Sequence, residues 1–172
     1  NIEQDIDTLF SGNYTVTITD DHACIFDSTL TILEPFAINI ANVITNVSCF
    51  GGSDGALDLN PGGGVPPYSY LWNTGDTLQD IDSLTFGNYT IQVTDDNGCI
   101  EEQTFLVDQP AEPVTIADTS GNISCFGGND GFIDITVTGG NGGYTFDWSN
   151  AALTEDLTDL FIGVYIVEVE DS

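Results

Sequence analysis

The chain has 172 residues, of which 41% are hydrophobic and 10% aromatic, and its 28 acidic residues face no Lys and no Arg, giving a formal net charge of −28. A surface for phosphate backbones needs Lys or Arg to displace counterions, so nucleic acid is excluded as a partner, and the same sign argues against attachment to anionic lipid. Enough apolar material is present for packed cores, which separates the chain from acidic disordered polymers, while no apolar run approaches the roughly 18 residues that would predict direct membrane insertion.

In chain order the sequence repeats itself. Asn1-Ile2-Glu3-Gln4-Asp5 aligns with the middle of a repeat, near Asp76. Cys49-Phe50-Gly51-Gly52-Ser53-Asp54-Gly55 returns as Cys125-Phe126-Gly127-Gly128-Asn129-Asp130-Gly131 (125 − 49 = 76), and Trp72 returns as Trp148 (148 − 72 = 76). Tyr14, Tyr89 and Tyr165 keep the same spacing to within one residue. A fixed period of this length predicts a tandem array of small domains: 1–35 as the C-terminal half of one repeat, 36–110 as a complete repeat, and 111–172 as a third that stops before its last strand.

Within the complete copy, short runs predict strands at Ala37 to Ile44, Ala56 to Leu59, Tyr68 to Trp72, Ile81 to Leu84 and Ile100 to Val107, separated by turns of Gly, Pro, Asp and Asn. Tyr89, Ile91 and Val93 alternate with Thr90, Gln92 and Thr94, the period-2 signature of a strand with one buried face. Tyr165, Val167 and Val169 repeat it against Ile166, Glu168 and Glu170. Six or seven short strands with no helical period predict an all-β sandwich.

Two features point to an immunoglobulin-like version, with strands lettered A to G. Leu84-Thr85-Phe86-Gly87-Asn88-Tyr89 has the spacing of a tyrosine corner, echoed from Leu9 to Tyr14 and from Leu160 to Tyr165, and Trp72 and Trp148 fall at the core position of strand C. Asp95-Asp96-Asn97-Gly98 is the F to G turn, Asn-Gly supplying positive φ.

The series Cys-Phe-Gly-Gly-Ser-Asp-Gly (49–55), Gly-Gly-Gly-Val-Pro-Pro-Tyr-Ser-Tyr-Leu-Trp (62–72) and Leu-Thr-Phe-Gly-Asn-Tyr-Thr-Ile-Gln-Val-Thr-Asp-Asp-Asn-Gly-Cys (84–99) resembles the SprB repeat of giant cell-surface proteins of Bacteroidetes. The resemblance implies tandem PKD-like, immunoglobulin-like domains in a head-to-tail array, and an adhesin exported by type IX secretion and associated with gliding. In the third copy Asn141-Gly142-Gly143-Tyr144 stands where the second has Val-Pro-Pro-Tyr. It also implies the Asp-Ser/Thr acceptor used for O-glycosylation in that phylum, here at Thr8, Ser28, Thr77 and Ser83. Asn-x-Ser/Thr sequons stand at Asn13, Asn46, Asn88 and Asn122.

The chemistry-bearing residues are few. One His, no cation, and acids that recur with the structural period supply no base, nucleophile and stabiliser that could meet, so no catalysis is expected. His22 reads as an exposed loop residue of an F to G turn. Calcium is the ligand to which the acidic turns point, through Asp54, Asp80, Asp82, Asp95 and Asp96, with Asp5/Asp7 and Asp20/Asp21 as further pairs. None matches an EF-hand loop, and each also has a local explanation in side-chain bonds to the backbone. No other cofactor is expected.

Cys24, Cys49, Cys99 and Cys125 lack the close pairing of a zinc site and read as disulfide cysteines of an extracellular protein. In immunoglobulin order Cys49 opens strand B and Cys99 closes strand F. These strands run the same way and span about 25 Å, far beyond the reach of a bridge. Head-to-tail stacking therefore favours pairing Cys49 with a cysteine expected shortly beyond Ser172, the alternative being Cys24 with Cys49 and Cys99 with Cys125 through a G to A hairpin around Pro110 and Pro113. The whole reads as a structural and adhesive segment of a surface filament, its partners being neighbouring repeats and surface glycans or other cell-surface ligands. A spacer or carbohydrate-binding module of a secreted hydrolase is the alternative.

Overall fold

The computed structural model describes residues 5–172; the proposed alignment of Asn1 to Gln4 lies outside them. The described residues form thirteen strands and no helix. β1 (Gly12–Thr19) and β2 (Ile25–Ile32) make an antiparallel hairpin. The second repeat follows with β3 (Asn39–Thr45), β4 (Gly55–Gly62), β5 (Ser69–Trp72), β6 (Ile81–Leu84), β7 (Gly87–Thr94) and β8 (Ile100–Val107). The third consists of β9 (Thr115–Gly121), β10 (Gly131–Thr138), β11 (Thr145–Trp148), β12 (Leu157–Leu160) and β13 (Val167–Glu170).

In the second repeat one sheet has the order β3-β4-β6 and the other β5-β7-β8. Read as A-B-E facing C-F-G, this is the immunoglobulin topology without a D strand. The third repeat reproduces it as β9-β10-β12 facing β11-β13, so among the described residues the outer edge of β13 carries no strand. The chain is all-β, a tandem of sandwiches, as the alternation predicts.

The alternation places the core. Ile91 and Val93 are fully buried and Tyr89 nearly so, together with Leu57, Leu59, Phe105 and Val107 from the facing and neighbouring strands. Trp72 is 2% exposed; its indole N–H donates to the Leu78 carbonyl at 2.9 Å, and its ring lies 6.5 Å from that of Phe105. Trp148 matches it at 3% exposure with a 2.8 Å bond to the Thr154 carbonyl.

The tyrosine corner is present three times. The hydroxyls of Tyr14, Tyr89 and Tyr165 donate to the carbonyls of Phe10, Thr85 and Phe161 at 2.9, 3.0 and 3.0 Å. Each satisfies a carbonyl four residues upstream and fixes the entry into strand F. Just before each corner, Thr8, Ser83 and Asp159 share a positive φ, of 55°, 57° and 56°, a repeat-locked kink that no residue type announces.

Gly55 opens β4 where sheets meet: a Cβ there would lie 2.6 Å from Val107 Cγ1 and 2.9 Å from the Leu84 carbonyl oxygen. In the F to G turn only Gly98 carries positive φ (79°), so Asn97 contributes no left-handed residue and the two-residue hairpin geometry expected of Asn-Gly is not formed. The first copy places Ala23 there at 64°.

Candidate functional site: the two poles of the repeat

Each repeat presents two loop clusters, one at either end of its sandwich, and the four cysteines fall in them together with Asp54, Asp95 and Asp96. At one pole lies the A to B turn. Ser48 N–H donates to Asp54 Oδ1 at 3.0 Å, Gly52 N–H to the Cys49 carbonyl at 2.9 Å, and Gly51 N–H to Gln109 Oε1 at 2.9 Å. The third repeat repeats the frame, with Ser124 N–H on Asp130 Oδ1 at 2.9 Å and Gly128 N–H on the Cys125 carbonyl at 2.9 Å. Hydrogen bonding by Ser48, through its hydroxyl and then its backbone N–H, holds the Asp54 carboxyl below the usual carboxylate range, and Ser124 does the same for Asp130. The motif that identifies the repeat is therefore a self-bonded turn, and it leaves Phe50, Phe126, Cys49 and Cys125 exposed.

At the opposite pole Asp95 organises the F to G turn. Its side chain is 6% exposed; Oδ1 accepts from Asn97 N–H at 3.0 Å and Cys99 N–H at 2.8 Å, and Oδ2 accepts from Val65 N–H at 2.9 Å. Burial pushes this carboxyl up, but the donors outweigh it and hold it below the usual range. Asp20 plays the same part in the first hairpin, accepting from His22 and Cys24 N–H at 2.8 and 2.9 Å, and His22 is exposed as its turn position suggested. In the third repeat Asp171 Oδ2 accepts from Asn141 N–H at 2.8 Å.

The calcium candidates are thus distributed rather than gathered. Asp80 Oδ1 accepts from Leu59 N–H at 2.8 Å, pinning the C to E connection to strand B, and Asp156 does this for Ile135 at 3.0 Å. Asp82 accepts from the Ser83 hydroxyl at 3.0 Å, and Asp96 is an exposed turn residue. Among the described residues no three His, Cys, Asp or Glu side chains come together as a metal site. The structural tasks of Asp80 and Asp156 escaped the sequence reading; their signal was their 76-residue separation (156 − 80 = 76).

Thr8, Thr77 and Ser83 are exposed and Ser28 is half-buried on β2. All four cysteines are exposed and unbonded. Strands β8 and β9 belong to different sheets, so the G to A hairpin needed for a Cys99 to Cys125 bridge does not form. With both Trp rings buried, neither offers the flat exposed face of a sugar platform.

The junction between the repeats is built from their poles. Val47 N–H donates to the Asp108 carbonyl at 2.8 Å, and Asn46 Oδ1 accepts from Asp108 N–H at 3.0 Å, so strand A and the outgoing linker are tied. Asn141 Nδ2, from the B to C loop of the third repeat, donates to the Ser48 carbonyl at 2.9 Å.

Fold, poles and junction define a class: a tandem β-sandwich repeat protein whose repeats join end to end. Residues 41–77 and 117–153 both match the family model of the SprB repeat, again 76 residues apart (117 − 41 = 76). The resemblance drawn from the motifs is thereby shown for these two regions. SprB repeats are structural repeats associated with cell-surface proteins. No curated protein matches the chain.

Proposed function

We propose that this chain is a structural and adhesive segment of a long secreted cell-surface filament, exported through type IX secretion, associated with gliding, and without catalysis. The observation that carries the reading is the repetition: sandwiches with separate cores recur at a 76-residue period, and Asn141 of the third repeat reaches the Ser48 carbonyl of the second. In such a polymer each domain bears load through its own sandwich, and a net charge of −28 keeps neighbouring filaments apart. Glycans on Thr8, Thr77, Ser83 and Ser28 decorate the shaft, and calcium screens its acidic turns. Antibody against this segment should label intact cells, with labelling lost after surface proteolysis; labelling only after lysis would overturn the reading.

The same junction supports a covalent staple between the A to B cysteine of one repeat and the F to G cysteine of the next. Asn141 joins the Ser48 carbonyl, next to Cys49, to Asp171, whose counterpart Asp95 holds the Cys99 N–H. Closure releases two protons and passes two electrons to a disulfide-class oxidant. In the native polymer Cys49 and Cys125 should resist alkylation until reduced; free reactive thiols there would refute the staple.

A further inference from the structure

The sequence holds two Asn-Gly pairs, Asn97-Gly98 and Asn141-Gly142. Such a pair is chemically labile, because a Gly has no Cβ to keep its backbone nitrogen from attacking the side-chain amide carbon of the preceding Asn. The fold treats the two pairs differently. Gly98 N–H donates to the Asp95 carbonyl at 3.0 Å inside the F to G turn, which ties down the nitrogen that would attack. Among the described residues Gly142 N–H has no such acceptor, and a Cβ at Gly142 would meet nothing within 4 Å. This freedom belongs to the repeat itself, since the corresponding residue of the complete second repeat is Pro66 (142 − 66 = 76), which has no N–H to place. Asn141 is exposed, so water reaches the pair. Its side chain is also the one that joins the repeats, Nδ2 donating to the Ser48 carbonyl at 2.9 Å, while its backbone N–H is held by Asp171 Oδ2 at 2.8 Å. Val65 stands at the same place in the second repeat (141 − 65 = 76) and has neither the amide nor the reaction.

We propose that Asn141-Gly142 is a site of spontaneous deamidation in the folded protein, and that the reaction releases the contact between the second and third repeats. The Gly142 nitrogen, losing its proton to hydroxide, bonds to Asn141 Cγ; the Cγ–Nδ2 bond breaks and the amide nitrogen leaves as ammonia. Water then opens the cyclic imide at either carbonyl, giving aspartate or isoaspartate, with no oxidant or reductant. Both products undo the clamp. The donor Nδ2 is replaced by a carboxylate oxygen, which meets the Ser48 carbonyl as one acceptor meets another. The new charge also lies beside the Asp171 carboxylate, in a chain with no Lys or Arg to neutralise it. The isoaspartate product further lengthens the main chain by one carbon before Gly142, whose carbonyl accepts from Ser172 N–H at 3.1 Å. The junction thus carries a chemical timer, tied while the amide is intact and free to bend once it is lost. This inference goes beyond the filament reading and does not depend on it.

The chemistry is tested on the folded chain, incubated in heavy-oxygen water at mildly alkaline pH and mapped by mass spectrometry. Asn141 should convert roughly fivefold or more faster than Asn97, the difference that one engaged N–H makes. In denaturing urea the two pairs should convert at similar rates. Equal rates in the folded chain, or the same preference in urea, would overturn the proposal. Its consequence is tested with Asn141→Asp, which supplies the product directly, and with Asn141→Val, which borrows the residue of the second repeat. NMR relaxation should show the two repeats reorienting together in the unaltered chain and separately in both variants, while each repeat keeps its own melting transition. Asn97→Asp, in the turn at the opposite pole of the second repeat, should leave the joint reorientation unchanged. Repeats that stay coupled in Asn141→Asp would overturn the release, as would equal uncoupling by Asn97→Asp or separate reorientation already present in the unaltered chain.

Discussion

The second and third repeats carry the same strand alternation and the same buried tryptophan, yet their F strands differ in burial. Ile91 and Val93 are fully buried in β7, while their counterparts Val167 and Val169 in β13 are only half-buried, and Tyr89 is buried where Tyr165 is not. In the second repeat β8 covers β7 with Phe105 and Val107. Apolar stabilisation scales with the area removed from water, so Phe105 and Val107 of β8 add to the core that Ile91 and Val93 share with Leu57 and Leu59. β1 and β2 pair along eight residues each, and Val16, Ile18, Phe26 and Leu30 on them are exposed.

The largest break in this comparison should come from Trp72→Ala. Deleting a buried Trp costs about 3 to 5 kcal/mol, enough to unfold a small domain, and two-transition calorimetry should show the second repeat lost while the third melts unchanged. Simultaneous loss of both transitions would mean that the repeats fold as one unit. Trp148→Ala should have the reciprocal result.

Asp95→Asn comes next. The amide would turn a donor toward either Val65 N–H or the paired Asn97 and Cys99 N–H groups, leaving an unsatisfied contact at a buried turn. Because the folded carboxyl lies below its unfolded value, its stabilisation is complete above the unfolded pKa and is lost as pH falls below about 4. Melting curves should therefore show a deficit for Asp95→Asn at pH 7 that shrinks toward pH 3. A deficit independent of pH would remove the carboxylate from the explanation. Asp171→Asn, at a site accepting one N–H, should have a smaller effect.

Tyrosine-corner variants should give the smallest change and grade the three repeats. Tyr89→Phe removes a hydrogen bond in a partly buried setting and should cost on the order of 1 kcal/mol. Tyr165→Phe and Tyr14→Phe, where water reaches the freed carbonyl, should cost less. Equal costs at the three positions would show that burial does not strengthen the corner.

Much of this was legible because repetition converts weak signals into strong ones. A single Tyr at the start of a strand means little; three at a constant period mark one structural task, and the corner hydroxyls fulfil it. Strands at Ile81 to Leu84 and Ile100 to Val107 fall where the alternation ends them. The acidic turns were legible only as ambiguity, since a carboxylate that caps backbone N–H groups and one that holds a cation have the same sequence; geometry shows Asp54, Asp80 and Asp95 occupied by N–H donors. The poles were read correctly for topology, but the contact between Asn141 and Ser48 joins residues 93 apart, and the third copy's departure from Val-Pro-Pro gave no hint that its Asn would reach the preceding domain.

The sequence by itself determined the period, the strand class and the inward face of each strand, because these follow from side-chain alternation and from Gly, Pro, Asp and Asn at turns, all local effects. Only the tertiary structure decided which sheet each strand joins and which acids are spent on backbone amides. Those outcomes depend on groups brought together from distant positions: Val107 against Gly55 and Asp95 beneath Val65.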